Sequence, residues 1–265
     1  MIRFADERDV KKIIELWDIA FPEDANFNSY FFKNIFDVKK TLIMEENGEL
    51  LSMLQMLPYK IKGIGSVTYI YGAATHPKYR GKGYMRTLLE HSFEIDRQNG
   101  YAGSILIPAS DSLYDYYASI GYKTAFYISK KEFNKTNTLR YDFKKAEYSD
   151  IPDIISLYKG DIERDFDYFK IQIDMFRALG GEVFLLYDGK RPLSYAFTWC
   201  SKDIEIQELG AACESCQMYM AEHIMSYYGK TSAKAAILGG DIHIGMIRYY
   251  GDEKNFDMSL NLMYN

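Results

Sequence analysis

The residue types that could do the most chemistry in this chain lie in the run His76-Pro77-Lys78-Tyr79-Arg80-Gly81-Lys82-Gly83-Tyr84-Met85. Gly81 and Gly83 lack the side chains that would hold a ligand off the backbone, and Arg80 and Lys82 place full positive charges beside them. Residues 67–75, just upstream, are β-branched and aromatic, as a buried strand is. Downstream, Met85, Leu88, Leu89 and Ser92 recur at helical spacing, so a helix is expected from about Gly83. Strand, glycine-rich turn and helix in that order aim unpaired backbone N–H groups at an anion, and the helix start adds partial positive charge where a pyrophosphate would sit. A tight turn before a helix is the plainer reading of the same residues; the flanking strand and helix favour a ligand site.

Other reactive types are sparser. The three cysteines are Cys200, Cys213 and Cys216, a count that fits a reducing compartment. Cys213-Glu214-Ser215-Cys216 has the spacing of a redox pair or of half a zinc site, but the four histidines are scattered. The cysteines are read as small apolar thiols, and no metal is expected.

The elements that would position the cradle follow from periodicity. A short strand over 1–5 precedes a helix over 6–20 carrying Val10, Ile13, Ile14 and Trp17, and an aromatic-rich helix is expected over 28–38. Strands over 41–45 and 50–58 flank an Asn47-Gly48 hairpin turn. After the cradle helix come a short strand at 104–107, a helix over 111–119 stopped at Gly121, and a strand region over 122–133. Residues 134–138 are the most linker-like of the chain.

Beyond that linker the pattern repeats. Asp9-Val10, Ile13-Ile14 and Leu16-Trp17 are matched by Asp150-Ile151, Ile154-Ile155 and Leu157-Tyr158 at a constant offset of 141. Asn47-Gly48 then falls on Asp188-Gly189, Gly72-Ala73-Ala74 recurs as Gly210-Ala211-Ala212, Glu90-His91 as Glu222-His223, and Asp111 and Gly121 as Asp241 and Gly251. The expectation is an α/β (α+β) chain of two tandem mixed-sheet domains with flanking helices, 1–135 and 139–265, each about 130 residues. Fifteen residues separate Ala74 from Glu90, and nine separate Ala212 from Glu222. The six missing residues are the size of the cradle, so only the first copy is expected to bind a phosphate-bearing ligand.

At 265 residues, 48% hydrophobic and 26% charged, the chain reads as globular, with no run of the roughly 18 apolar residues that a span needs. No membrane partner is expected, and the absence of a signal-like start implies a cytoplasmic protein. A net charge of -5 argues against nucleic acid as a partner, and a homo-oligomer is left open.

Arg80, Gly83 and Met85 occupy the three defined positions of the pattern Arg/Gln-x-x-Gly-x-Gly/Ala. In this the first copy resembles the GNAT N-acetyltransferase superfamily, with Met85 departing from the small residue usual at the last position. A second copy without the loop further resembles the enhanced-intracellular-survival-type branch, whose usual third domain has no room in this chain. The resemblance implies acetyl-CoA as cosubstrate, held by Ala73, Ala74, Thr75, Arg80, Gly81, Lys82, Gly83, Tyr84, Met85, Arg86, Ser110 and Asp111. A helix cap is the alternative role of Ser110 and Asp111. The strand before the cradle would splay from its neighbour to admit the pantetheine arm, with a main-chain N–H near Ala74 polarising the thioester carbonyl.

The resemblance also implies a tyrosine at the cofactor sulfur. Tyr117, four residues before Gly121-Tyr122, is the expected general acid, with Tyr114 second among 24 tyrosines. Glu23, Asp24 and the terminal carboxylate of Asn265 are candidate bases, and Trp17, Phe21, Tyr30 and Phe31 a candidate acceptor lining whose alternative is plain core. The expected activity is an N-acetyltransferase in which a primary amine, on a small molecule or peptide, attacks the thioester directly in a ternary complex. The alternative is a non-catalytic acyl-CoA-binding or interaction module.

Overall fold

The computed structural model describes residues 1–22, 25–252 and 254–261. In chain order the strands are β1 (Ile2–Phe4), β2 (Thr41–Glu46), β3 (Glu49–Ile61), β4 (Gly65–Thr75), β5 (Gly103–Leu106), β6 (Lys123–Asn134), β7 (Asp142–Lys145), β8 (Glu182–Asp188), β9 (Arg191–Cys200), β10 (Ile204–Ala211), β11 (Ser232–Leu238), β12 (Ile242–Tyr249) and β13 (Met258–Ser259). The helices are α1 (Val10–Ala20), α2 (Ala25–Asn34), α3 (Tyr84–Gln98), α4 (Asp111–Ala118), α5 (Ile151–Leu157), α6 (Phe166–Ala178) and α7 (Glu214–Tyr228). The fold is mixed α/β, and among the described residues no helix is long and apolar enough to cross a membrane.

The chain forms two compact units, but they do not divide at the linker. Unit 1 comprises Met1–Ala125 and Gly245–Phe256; unit 2 comprises Phe126–Ile244 and Asp257–Asn265. The expected division into 1–135 and 139–265 therefore falls elsewhere, because each unit takes a strand from the other half of the sequence. In unit 1 the order is β1-β2-β3-β4-β5-β12, and Met246, Ile247, Arg248 and Tyr249 pair antiparallel with Leu106, Ile105, Ser104 and Gly103. In unit 2 the order is β7-β8-β9-β10-β11-β6, with β6 antiparallel to β11 from Asn134↔Ser232 to Ile128↔Leu238. This exchange joins residues more than a hundred positions apart, which local patterning cannot report.

Unit 1 packs two cores around its sheet. Trp17, Phe31, Ile13, Leu16 and Met53 form one with α1 and α2. Leu88, Leu89 and Phe93 of α3 form the other with Ile70, Leu106, Tyr117 and Met246. The amphipathic spacing of α1 and α3 explains which face each buries. The borrowed segment is held firmly. Tyr250 donates to Asp96 Oδ2 at 2.8 Å, Thr68 donates to Asp96 Oδ1, and Arg248 donates to the Ile120 carbonyl with its guanidinium 4.3 Å from the Phe93 ring centroid.

In unit 2, Phe184, Leu209, Met220, Ile224 and Met225 centre the core. Arg164 and Glu208 form a fully buried ion pair at 2.9 Å, and Tyr195 donates to the same carboxylate at 2.8 Å. The linker is tethered rather than loose. Thr136 N–H and Asn137 N–H each donate to the Glu222 carboxylate at 2.7 Å, and His223 Nε2 meets the Arg140 carbonyl at 2.7 Å. The repeated Glu-His dipeptide therefore has a local structural task in unit 2. Two other matches also differ from expectation. Asp111 opens a helix whereas Asp241 precedes strand β12, and the second hairpin turns at Gly189-Lys190 because Asp188 still pairs with Arg191.

Because β12 completes unit 1, a fragment ending at residue 135 leaves β5 with an unpaired edge. Such a fragment is expected to show no cooperative thermal transition by circular dichroism, whereas the full chain shows one; a sharp transition for the fragment would show that β12 is dispensable.

Candidate active site

Strands β4 and β5 run parallel and pair only at Val67↔Gly103, Thr68↔Ser104 and Tyr69↔Ile105. Beyond Tyr69, β4 continues alone on that side as far as Thr75 while keeping β3 on the other, with Met53↔Ala74 and Ser52↔Thr75. The register with β3 slips between Met53 and Gln55, a bulge that places Gly72 and Ala73 opposite Leu54. Gly72 is at φ +56°, and a Cβ there would lie 2.2 Å from the Trp17 ring. Only glycine permits that approach. Trp17, 2% exposed and bonded through Nε1 to Asn28 Oδ1 at 2.9 Å, thus backs the bulge from the α1–α2 side.

The opened strand delivers the chain to the cradle. His76 N–H donates to the Leu51 carbonyl at 2.9 Å, so alternation along β4 turns the Ala74 N–H toward β3 as well and that of Thr75 toward the open side. The donor available near Ala74 is therefore the neighbouring Thr75. A single 3-10 turn at Pro77–Tyr79 follows. Arg80 Nε then donates back to the Thr75 carbonyl at 3.1 Å, lacing the loop to the strand end.

Gly81 (φ +77°) and Gly83 (φ +83°) are exposed, with no atom near where a side chain would begin. Gly83 is the N-cap of α3 and supplies no side-chain cap, which leaves the first-turn N–H groups of Tyr84, Met85 and Arg86 directed out of the helix end. Lys82 lies 5.4 Å from the Tyr79 ring centroid, keeping a cation at the rim. Arg86 points along the helix to α4, where it meets Ser119 Oγ at 2.8 Å. Met85 is half-buried against the core, which is why a large residue is accommodated at that position.

The other expected site residues divide. Ser110 is the N-cap of α4 without a side-chain cap bond, its Oγ 3.1 Å from Ser112 Oγ, and Asp111 begins the helix; both are exposed. Tyr117 is 8% exposed and stands edge-on to Tyr116 and Tyr122. It belongs to the core cluster that also holds Ile70, Leu106, Ala73, Tyr84 and Met85, the residues around the mouth of the opened strands. Burial pushes its phenol up to about 12. Tyr114 is half-buried, and burial raises its phenol too.

Trp17 and Phe31 are core, stacked with centroids 4.9 Å apart, so they do not line an acceptor pocket. Phe21 and Tyr30 are half-buried. Glu23, Asp24 and Asn265 lie outside the described residues. The sequence reading missed the bulge at Gly72; the glycine within an otherwise β-branched strand was its signal. Of the cysteines, Cys216 is buried and Cys200 packs partly against the same core, as apolar thiols do, whereas Cys213 is exposed at the N-cap of α7.

The model of the acetyltransferase (GNAT) domain matches residues 1–125. No curated protein matches the sequence. Among solved structures, a probable N-acyltransferase of unknown function from Enterococcus faecalis V583 superposes with TM-score 0.76 at 16% identity over 94% of this chain and 72% of its own. Eis1 from Mycobacterium abscessus gives 0.66 at 10% identity over 94% and 73%. A tandem GNAT protein from the clavulanic acid biosynthesis pathway gives 0.60 at 10% identity over 96% and 100%. At such identities the likeness is one of fold, and it includes tandem members. The part of the chain that carries the opened strands, the glycine loop and Tyr117, residues 1–125, is a GNAT acetyltransferase domain.

Proposed function

We propose that unit 1 is an acetyl-CoA-dependent N-acetyltransferase that acylates a primary amine by direct attack. One observation carries the reading: the open side of β4 leads without interruption to the unpaired N–H groups at the start of α3. An extended pantetheine-like arm can pair with the strand as a further strand would, and a pyrophosphate fits the helix end. Arg80 contributes by holding the loop shape through Thr75, while Lys82, over the Tyr79 ring, supplies a second positive charge at the rim. Gly81 and Gly83 keep the approach clear. Ala73, Ala74 and Thr75 would flank the arm, and Ser110 and Asp111 at the head of α4 would be its further contacts.

Bound acetyl-CoA supplies an activated thioester carbonyl. Amine nitrogen attacks that carbon, the C–N bond forms and the C–S bond breaks, and the amine's proton leaves to solvent. The Thr75 N–H faces the open side, where it can stabilise negative charge on the carbonyl oxygen. Tyr117 keeps its proton at neutral pH because burial holds its phenol far above 7. Transfer to an ordinary thiolate, of pKa about 8.5, is uphill from such a phenol, so Tyr117 serves first as a hydrogen-bond donor to the developing charge on sulfur. Unit 2 lacks the corresponding loop: eight residues join β4 to α3, and two join β10 to α7. One acyl-CoA site per chain is the expectation.

A screen of amines for acceptor-dependent thiol release from acetyl-CoA tests the activity, and silence across a broad panel of small and peptide amines would count against it. Gly83→Asp places a negative charge beside the same N–H groups, at a φ of +83° that a side chain adopts only with some strain. It is expected to weaken CoA binding by at least about tenfold, or 1.4 kcal/mol, in calorimetry, whereas Gly83→Ala, which carries the same strain without the charge, weakens it less. Unaltered affinity would remove the helix start from the binding site. Tyr117→Phe is expected to lower kcat by about a hundredfold with little change in CoA affinity. Full turnover in that variant would assign the donor elsewhere, with Tyr114 next to test.

A further inference from the structure

Unit 2 parts its strands as unit 1 does. Parallel pairing of β10 with β11 ends at Ile206↔Ala235, and the register of β10 with β9 slips between Ile206 and Glu208. Beyond the parting lies a cavity of about 510 Å³. Ala211 and Ile237 of the two strands line it, together with Cys213 and the lysines Lys130, Lys131 and Lys159. Where unit 1 has a glycine loop, this unit has the first turn of α7, with Cys213 as N-cap and Cys216 one turn in.

The two thiols are unequal. Cys213 is exposed and opens to the cavity, while Cys216 is 5% exposed and packed in the unit 2 core. Their sulfurs are 2.6 Å apart, and the Cys216 N–H donates to the Cys213 carbonyl at 3.1 Å. The helical turn therefore already holds the pair in contact. Lys131 is occupied by Glu214, Nζ to Oε1 2.7 Å, which leaves Lys130 and Lys159 to give the cavity a positive balance.

We propose that Cys213 and Cys216 are a redox-active dithiol that exchanges with low-molecular-weight disulfides bearing carboxylates, Cys213 attacking and Cys216 resolving. The Cys213 thiolate attacks one sulfur of the ligand; that S–S bond breaks, and the released thiolate takes a proton from solvent. Cys216 loses its proton to solvent and attacks the Cys213 sulfur of the mixed disulfide, expelling the second ligand thiol. Two protein thiols are oxidised and one ligand disulfide is reduced to two thiols, with no other reactant. The lysines would meet the ligand's carboxylates, and the cavity has room for a molecule of peptide size.

The electrostatics agree with this order of events. Hydrogen bonds from Cys216 and then Ser215 hold the Cys213 thiol below its ordinary value, as the start of a helix favours. Burial, followed by the neighbouring Cys213, pushes Cys216 up to about 11. The more acidic, more exposed sulfur is the one that a disulfide reaches first.

The test uses the full chain with Cys200→Ser, so that two thiols remain. Equilibration with mixtures of reduced and oxidised glutathione, thiol blocking and peptide mass spectrometry should reveal a Cys213–Cys216 disulfide that forms and is reduced reversibly. It should form at least about tenfold faster than in the same chain unfolded in urea. Adding Cys216→Ala should trap one glutathionyl group on Cys213. Adding Cys213→Ser, at an exposed position, should abolish oxidation and any adduct. Cationic cystamine should react more slowly than oxidised glutathione at low salt, and the gap should close as salt is raised. Oxidation no faster folded than unfolded, an adduct retained in the Cys213→Ser chain, or equal rates with the two disulfides at low salt would overturn the proposal.

Discussion

The candidate site of unit 1 depends on a single constraint, that β4 must stop pairing with β5 after Tyr69 while continuing to pair with β3. A strand that kept both neighbours would have no main-chain group left for a ligand, and the loop after it would not reach the helix start in the right pose. The bulge at Gly72 re-aims the strand, and Trp17 occupies the space that a side chain at Gly72 would need. Asn28 in turn fixes Trp17 through its indole N–H. The aromatic cluster of α1 and α2 is therefore part of the site's foundation, although it touches no ligand position. Arg80 shows the same economy: its charge lies in the cradle, yet its Nε bonds to the end of the strand that the cradle follows.

Much of this was legible in the sequence because it is local. Glycines at 81 and 83, a β-branched run before them and helical spacing after them specify the strand, turn and helix from neighbouring residues alone. The six-residue difference between the copies was readable for the same reason, and it appears as the short join between β10 and α7. Tyr117 could be singled out by its distance from Gly121. Its burial could not, since that depends on Leu88 and Leu89 of α3 and Met246 of β12 arriving from two other elements.

What escaped the sequence was long-range or depended on one side chain's surroundings. Periodicity shows that 122–133 is extended, but not that it pairs in the second unit, nor that 242–249 is a strand of the first. Internal similarity even misled at Asp241 and Gly251, where a match of residue types conceals a helix in one copy and a strand in the other. Trp17 and Phe31 have the composition of a pocket wall and the environment of a core, a distinction that only burial makes. Cys213 and Cys216 have the same residue type and opposite exposures, because position 213 caps a helix and position 216 faces the sheet.

The exchanged strands also have a consequence for how the molecule can be made. Unit 1 contains the acetyltransferase domain, yet its sheet is closed only by residues near 249, so on the ribosome the unit waits for more than a hundred residues beyond its own first part. Until then β5 presents an open edge, and pairings of such long separation form slowly. Inheritance is bound by the same geometry: a gene that lost either copy would lose a strand from the remaining one, so the copy without the glycine loop is not discarded freely once the strands have been traded.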